Sequence, residues 1–165
     1  MMGPISQKPL TLASGSRVRA ELMRKAGLEF DVVVSGVDED AIKADHRGTP
    51  DTLALKLAEA KARTVARNGL VVGADQLLVC EGTLFDKPRD IAEARENLKK
   101  FRGRTHALVS GTVLLDDGAP VWSLSEQVSL TMRTFSDEFL EAYLLEVGDE
   151  VLKSVGCYQL EGPGV

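Results

Sequence analysis

The chain has 165 residues, of which 44% are hydrophobic, 27% charged and 5% aromatic, with a formal charge of −5; this fits one globular domain spanning residues 1–165 and leaves little room for a second. No apolar run reaches the ~18–20 residues of a spanning helix, residues 1–9 lack the layout of a secretory signal, and no basic patch is interleaved with aromatics. A membrane protein and a partner made of long nucleic acid are thereby excluded, and the expected compartment is the cytoplasm.

Cys80 and Cys157 lie among apolar or small residues and are expected as core thiols, not as a disulfide or zinc framework. A small anionic ligand remains compatible with the acidic balance, because screening over ~8–10 Å lets a few local cations outweigh the global field.

In chain order, Leu10 to Ala13 reads as a short strand, Ser14-Gly15-Ser16 as a tight loop, and Arg17 to Ala26 as a helix stopped by Gly27. Phe30 to Val34 is expected as a buried strand, followed by the acidic stretch Asp38-Glu39-Asp40 and a polar loop through Gly48. Thr49-Pro50 starts a helix that runs to about Arg67. Leu70 to Cys80 has the length and valine content of a central strand, which Glu81-Gly82 turns back toward Leu84-Phe85. Asp90 and Glu93 form a capping box for a helix with Ile91, Ala94, Leu98 and Phe101 on one face. Ala107 to Leu115 and Val121 to Met132 flank Asp116-Asp117-Gly118 as a hairpin, the second strand having one wet face. Ser136 caps a last helix ending near Gly148. The alternation of strands and helices with a late hairpin predicts a mixed-sheet α/β domain.

Three local rules are broken, and such breaks point to function. Arg17 and Arg19 occupy the first helix's opening turn, where the macrodipole disfavours cations by ~0.3–1 kcal/mol each. An anion there reverses the sign, and the Ser14 to Ser16 loop offers hydroxyls and N–H groups to hold it; an ordinary serine cap with solvated arginines is the alternative. A helical wheel places Lys56, Glu59, Arg63 and Arg67 on one face, but Lys61 between Leu57 and Ala54 in the apolar stripe. There it must snorkel, pair with an acid or serve a site. Asp75-Gln76 interrupts the most apolar strand, at a cost of several kcal/mol unless the carboxylate meets a cation, a metal or a cleft. A structural ion pair with Lys61 or Lys87 is the alternative.

Gly73 admits a close backbone approach, and Pro88 gives Lys87 a stiff support. Glu39 sits in a stretch that is usually solvated. His46 is expected at the surface and His106 as a satisfied structural histidine, a ligand contact being the alternative.

These residues together resemble the Maf family of nucleoside triphosphate pyrophosphatases. The markers are Leu-Ala-Ser-Gly-Ser-Arg-Val-Arg (12–19), Val-Asp-Glu (37–39), Leu-Ala-Glu-Ala-Lys-Ala (57–62), Gly-Ala-Asp-Gln (73–76), Asp-Lys-Pro (86–88), Gly-Arg-Thr-His (103–106) and Tyr-Gln-Leu-Glu-Gly-Pro-Gly (158–164). The resemblance implies an elongated, inosine-triphosphatase-like α/β fold, its mixed central sheet flanked by helices in two lobes with a cleft between. It also implies a divalent cation such as Mg²⁺ or Mn²⁺, frequent homodimers, and cleavage of a nucleoside triphosphate between its α and β phosphates.

Carried over by position, Asp75 matches the proton acceptor and Glu39 an acid beside it, the two forming the metal pair. Ser14, Arg19, Lys61 and Lys87 match the polar and cationic groups around the phosphates, with Ser16 in the same loop. Gln76 and Glu161 are like the branch acting on 7-methylguanosine triphosphate, where a carboxylate accepts hydrogen bonds from guanine N1–H and the exocyclic amine. Val18 departs from the pattern, standing where the pyrimidine branch has arginine and the methylguanosine branch an aromatic. Lys153 and Arg102 also depart, and neither change removes a catalytic group. Relatives continue beyond the Gly-Pro-Gly region with a strand, a turn and a closing helix, so the chain is expected to be truncated at its C-terminus. A reading from another class stays open: a nucleotide-binding regulator of cell division, similar to a septum formation inhibitor, with incidental turnover.

Overall fold

A computed structural model of the chain describes residues 8–65, 68–160 and 162. Among them, β1 (Leu10–Ala13), β2 (Asp31–Val32), β3 (Leu70–Cys80), β4 (Thr83–Phe85), β5 (Thr105–Asp116) and β6 (Ala119–Thr131) form a mixed sheet ordered β2-β1-β3-β5-β6, with β4 also paired to β3. The helices are α1 (Arg17–Lys25), α2 (Glu39–Asp45), α3 (Pro50–Thr64), α4 (Ile91–Phe101) and α5 (Asp137–Val147), with a 3₁₀ segment at Gly148–Lys153. The α/β class expected from the sequence is the class observed. The chain divides into two compact units, one drawn from residues 1–76 and 110–126 and the other from 77–109 and 127–165.

In the first unit β1 runs parallel to β3 in the register Leu10↔Leu70 to Ala13↔Gly73, and parallel to β2 through Leu12↔Val32. Helix α3 starts where Thr49 accepts a hydrogen bond from Thr52 N–H and Pro50 takes the first helical position, where its missing donor costs nothing. Its buried stripe is small: Ala54, Ala58 and Ala62 alternate with Leu53 and Leu57. Small side chains let the helix lie directly on the sheet. A Cβ placed on Gly73 would fall 2.0 Å from the Ala58 carbonyl oxygen, and one on Gly111 would fall 2.4 Å from the Ala54 carbonyl carbon. Ala13, Val71, Val113 and Leu115 complete this core with Ala58, Ala62 and Val65.

Four expectations need correction in this unit. The strand foreseen over Phe30 to Val34 is paired only at Asp31–Val32, both exposed, and Val34 is 71% exposed; β2 is an edge strand, so its β-branched residues gain little burial. The acidic stretch and loop after Val37 instead form α2. Asp38 caps it by accepting from Ala41 N–H, Glu39 and Asp40 sit in its first turn and Lys43 in its last, all favourable to the helix dipole. Helix α3 ends at Thr64, and Arg67 lies outside the described residues. Strand β6 has no dry face, because Val121 on one side and Trp122 and Leu124 on the other are all exposed at this edge of the sheet. The hairpin itself is as read: Asp117 and Gly118 both have positive φ, the signature of a two-residue turn that matches strand twist.

In the second unit β4 pairs antiparallel to β3 after the Glu81-Gly82 turn. Asp90 caps α4 by accepting from Glu93 N–H, whereas the Glu93 carboxylate accepts from Arg89 N–H, so the capping box closes one residue early. Ala94 and Leu98 of α4 pack with Leu140, Tyr143 and Leu144 of α5 and with Cys157; Leu78, Cys80 and Phe101 form a further cluster. The Tyr143 hydroxyl donates to the Cys157 carbonyl at 2.8 Å, which satisfies both buried groups. Both cysteines are buried and free, as expected, and burial pushes the Cys157 thiol up to about 12. No described helix is long and apolar enough to cross a membrane.

Candidate active site

The site grows from the end of β1 and the middle of β3 in the first unit. After β1 the chain turns through Ser14, Gly15 and Ser16 into α1, and Ser16 caps the helix by accepting from Arg19 N–H. The buried Ser14 hydroxyl oxygen accepts from Ser16 N–H at 3.2 Å and from Arg19 Nη1 at 3.0 Å. Arg19 Nη1 also donates to the Ala74 carbonyl at 3.0 Å, fastening the loop to β3. Burial works against the Arg19 charge, while nearby Asp75 and Glu39 support it. The two arginines of this turn therefore part ways: Arg17 pairs with Glu21 in solvent and Arg19 faces the acids. Val18, between them, is 41% exposed.

Lys61 leaves the buried face of α3 and is 8% exposed. Its ammonium donates to Asp75 Oδ1 at 2.5 Å and lies 2.8 Å from Glu39 Oε1. Asp75 is 6% exposed, so the lysine is what makes a carboxylate tolerable in the middle of β3. The first turn of α2 delivers Glu39 to the same ammonium. The expected ion pair and the expected site are thus one arrangement, with Glu39 joined to it. The charges of Arg19, Lys61, Glu39 and Asp75 cancel.

Two carboxylates sharing one cation position are hard oxygen donors that suit Mg²⁺ or Mn²⁺, which commonly take one or two protein carboxylates and draw the rest from phosphates and water. The described residues include no group of three or more His, Cys, Asp or Glu placed to hold a metal ion.

Gln76 is not brought to this cluster. Alternation along β3 turns it to the opposite face from Asp75, where its amide donates to the Ser110 hydroxyl at 3.1 Å. Lys87 belongs to the second unit, exposed in the segment between β4 and α4 beside the buried Pro88. Glu161 lies outside the described residues. The contribution that sequence reasoning missed is the Ala74 carbonyl, a backbone group that no residue type signals.

In the second unit His106 is 3% exposed, tilted against Phe101 and edge-on to Tyr158, with Nε2 2.6 Å from the Tyr158 hydroxyl and a buried Nδ1 that has no partner. It is thus only half satisfied, and it lines a cavity of about 570 Å³ with Met132, Phe135, Phe139, Tyr143 and Tyr158. Burial lowers its pKa below the ordinary 6.5. The unfolded ring takes up a proton first as pH falls, so the His106 contribution to stability is present above about 6.5 and is lost below it. The melting temperature is expected to fall between about pH 7.5 and 5.5, and less steeply in His106→Asn; equal slopes would contradict this.

The family described as Maf-like protein matches residues 9–165. A nucleoside triphosphate pyrophosphatase of Caulobacter vibrioides is 46% identical over 166 residues, covering 98% of this chain and 83% of its own. One of Paramagnetospirillum magneticum is 48% identical over 159 residues, covering 93% and 82%. Among solved structures, a HAM1 protein from Coxiella burnetii aligns with 74% of this chain and 72% of its own at 15% identity and a TM-score of 0.49.

Proposed function

The chain belongs to the Maf-like protein family, and from that premise we propose that it hydrolyses nucleoside triphosphates between the α and β phosphates, releasing monophosphate and pyrophosphate. The observation that carries this reading is the Asp75–Lys61–Glu39 arrangement beside Ser14 and Arg19, with the aspartate and lysine buried and the glutamate half-buried. A triphosphate brings roughly four negative charges, and phosphoryl transfer is catalysed chiefly by positioning and fixed charge. The Ser14 to Ser16 loop and the α1 N-terminus offer hydroxyls and N–H groups to the phosphates, while Arg19 and Lys61 offer cations.

Glu39 and Asp75 would hold the divalent cation, which when bound polarises phosphoryl oxygens and lowers the pKa of water. Asp75 orients the attacking water and takes its proton as it adds to the α phosphorus. Lys61 holds the Asp75 carboxylate in place before substrate arrives. Lys87 as a further phosphate cation and Glu161 as a reader of a 7-methylguanine base enter the proposal on the family resemblance alone; Gln76, on the opposite face of β3 from Asp75, does not.

The test is a panel of common and modified triphosphates with Mg²⁺ or Mn²⁺, with pyrophosphate and orthophosphate assayed separately. Pyrophosphate is the expected product, with 7-methylguanosine triphosphate among the best substrates; orthophosphate alone would overturn the reaction. The same panel on Glu161→Gln reads the base, and an unchanged ranking would remove Glu161 from recognition.

A further inference from the structure

The carboxylate pair already has an occupant. Lys61 Nζ sits within hydrogen-bonding distance of both Asp75 and Glu39 and is almost wholly shielded from solvent, so the ammonium fills the position to which both acids are directed. A dication held by the same oxygens would lie within a few ångströms of that ammonium, and with Lys61 and Asp75 buried little solvent stands between the two charges to screen the repulsion.

We propose that Lys61 is a displaceable resident cation: metal takes over the Glu39–Asp75 pair only as the ammonium leaves it for an incoming phosphate, so the nucleotide-free protein binds metal weakly and metal and triphosphate enter together. The inference deepens the reading above and rests on that reading of the cluster as a metal and phosphate site.

Charge balance supports it. With Arg19, Lys61, Glu39 and Asp75 the cluster is neutral; a dication alone leaves it doubly positive, and a triphosphate alone leaves it with about four negative charges. The two together leave about two negative charges, so the metal halves the departure that the triphosphate makes alone, and by linkage each ligand favours the binding of the other. Arg19 offers no refuge for the displaced ammonium, being itself a cation tied to Ser14 and the Ala74 carbonyl. The phosphate oxygens supply the missing anion, and the flexible four-carbon stem of lysine allows the move. Lys61 therefore does two jobs in succession, neutralising the acids in the resting protein and the phosphates in the complex.

The test is Mn²⁺ binding to the nucleotide-free full chain, read by electron paramagnetic resonance titration. The neutral variants Lys61→Gln and Lys61→Met are expected to bind Mn²⁺ at least about ten-fold more tightly than wild type, and Lys61→Arg, which keeps the charge, to bind as weakly as wild type. Adding Glu39→Gln to Lys61→Gln should erase the gain, fixing the ion to this pair. Neutral variants that bind no more tightly, or an arginine variant that gains as much, would overturn the proposal. A neutral variant that unfolds without ions still reports, because Mn²⁺ should raise its melting temperature more than that of wild type, and an equal or smaller rise counts against displacement. Pyrophosphate release without the Mn²⁺ gain removes displacement alone; the gain without pyrophosphate release removes the catalytic reading and leaves displacement standing.

Discussion

Asp75→Asn is expected to lower the rate of pyrophosphate release by about 10²–10⁴-fold, the range over which a positioned proton acceptor accelerates a reaction. Asparagine keeps the shape of the side chain and an oxygen for Lys61, and Lys61 retains Glu39 at 2.8 Å, so the fold and the Ser14–Arg19 loop survive the change. The loss should therefore appear chiefly in kcat; because Asp75 also belongs to the metal pair, the affinity for a non-hydrolysable triphosphate should weaken as well in the presence of Mg²⁺ and change by only a few-fold in its absence. Steady-state kinetics beside calorimetric binding separate the two. Turnover equal to wild type in a folded Asp75→Asn protein would remove Asp75 from the chemistry.

Gly73→Ala should be as damaging by a different route. The new methyl would arrive 2.0 Å from the Ala58 carbonyl oxygen, a backbone atom of a packed helix, so α3 has to lift from β3. Overpacking of this kind typically costs ~1–3 kcal/mol, occasionally more. It also separates Lys61, one turn along α3 from Ala58, from Asp75, two residues along β3 from Gly73. Chemical denaturation should show the lost stability and kinetics the lost turnover. Gly82→Ala provides the contrast: its Cβ meets nothing within 4 Å, but its φ of +77° strains any side chain, so stability should fall by about 1 kcal/mol with turnover kept. Full activity in Gly73→Ala would show that the close approach of helix to strand does not position the site.

The parts of the fold that were legible in the sequence are those set by local rules. Strand β3 has the bounds expected from its apolar run, α3 starts at the Thr49-Pro50 signal, and Asp117-Gly118 makes the expected turn. Helix α2 was missed because it is short and carries no apolar stripe, which left its caps as the only signal. The exposure of β2 and of both faces of β6 follows from where those strands stand in the sheet, and no local pattern encodes strand order.

The site divides similarly. Asp75 and Lys61 were visible because each violates its surroundings, and that they compensate one another was one of two readings left open. Glu39 lies in an acidic stretch that has no local reason to leave solvent, and only the family resemblance places it beside Asp75. Arg17 and Arg19 were indistinguishable on the helix dipole argument; a carbonyl on β3 and two acids reached through the fold tell them apart. Gln76 shows the converse, since adjacency to Asp75 in sequence means the opposite face in a strand.

The most direct test of attack at the α phosphorus is hydrolysis in ¹⁸O-labelled water, with the label located by mass spectrometry. Water activated by Asp75 and adding to the α phosphorus puts the label in the nucleoside monophosphate and leaves the pyrophosphate unlabelled. Label in the pyrophosphate, or in orthophosphate released with a diphosphate, would place the attack elsewhere and contradict the role assigned to the Asp75–Lys61–Glu39 cluster.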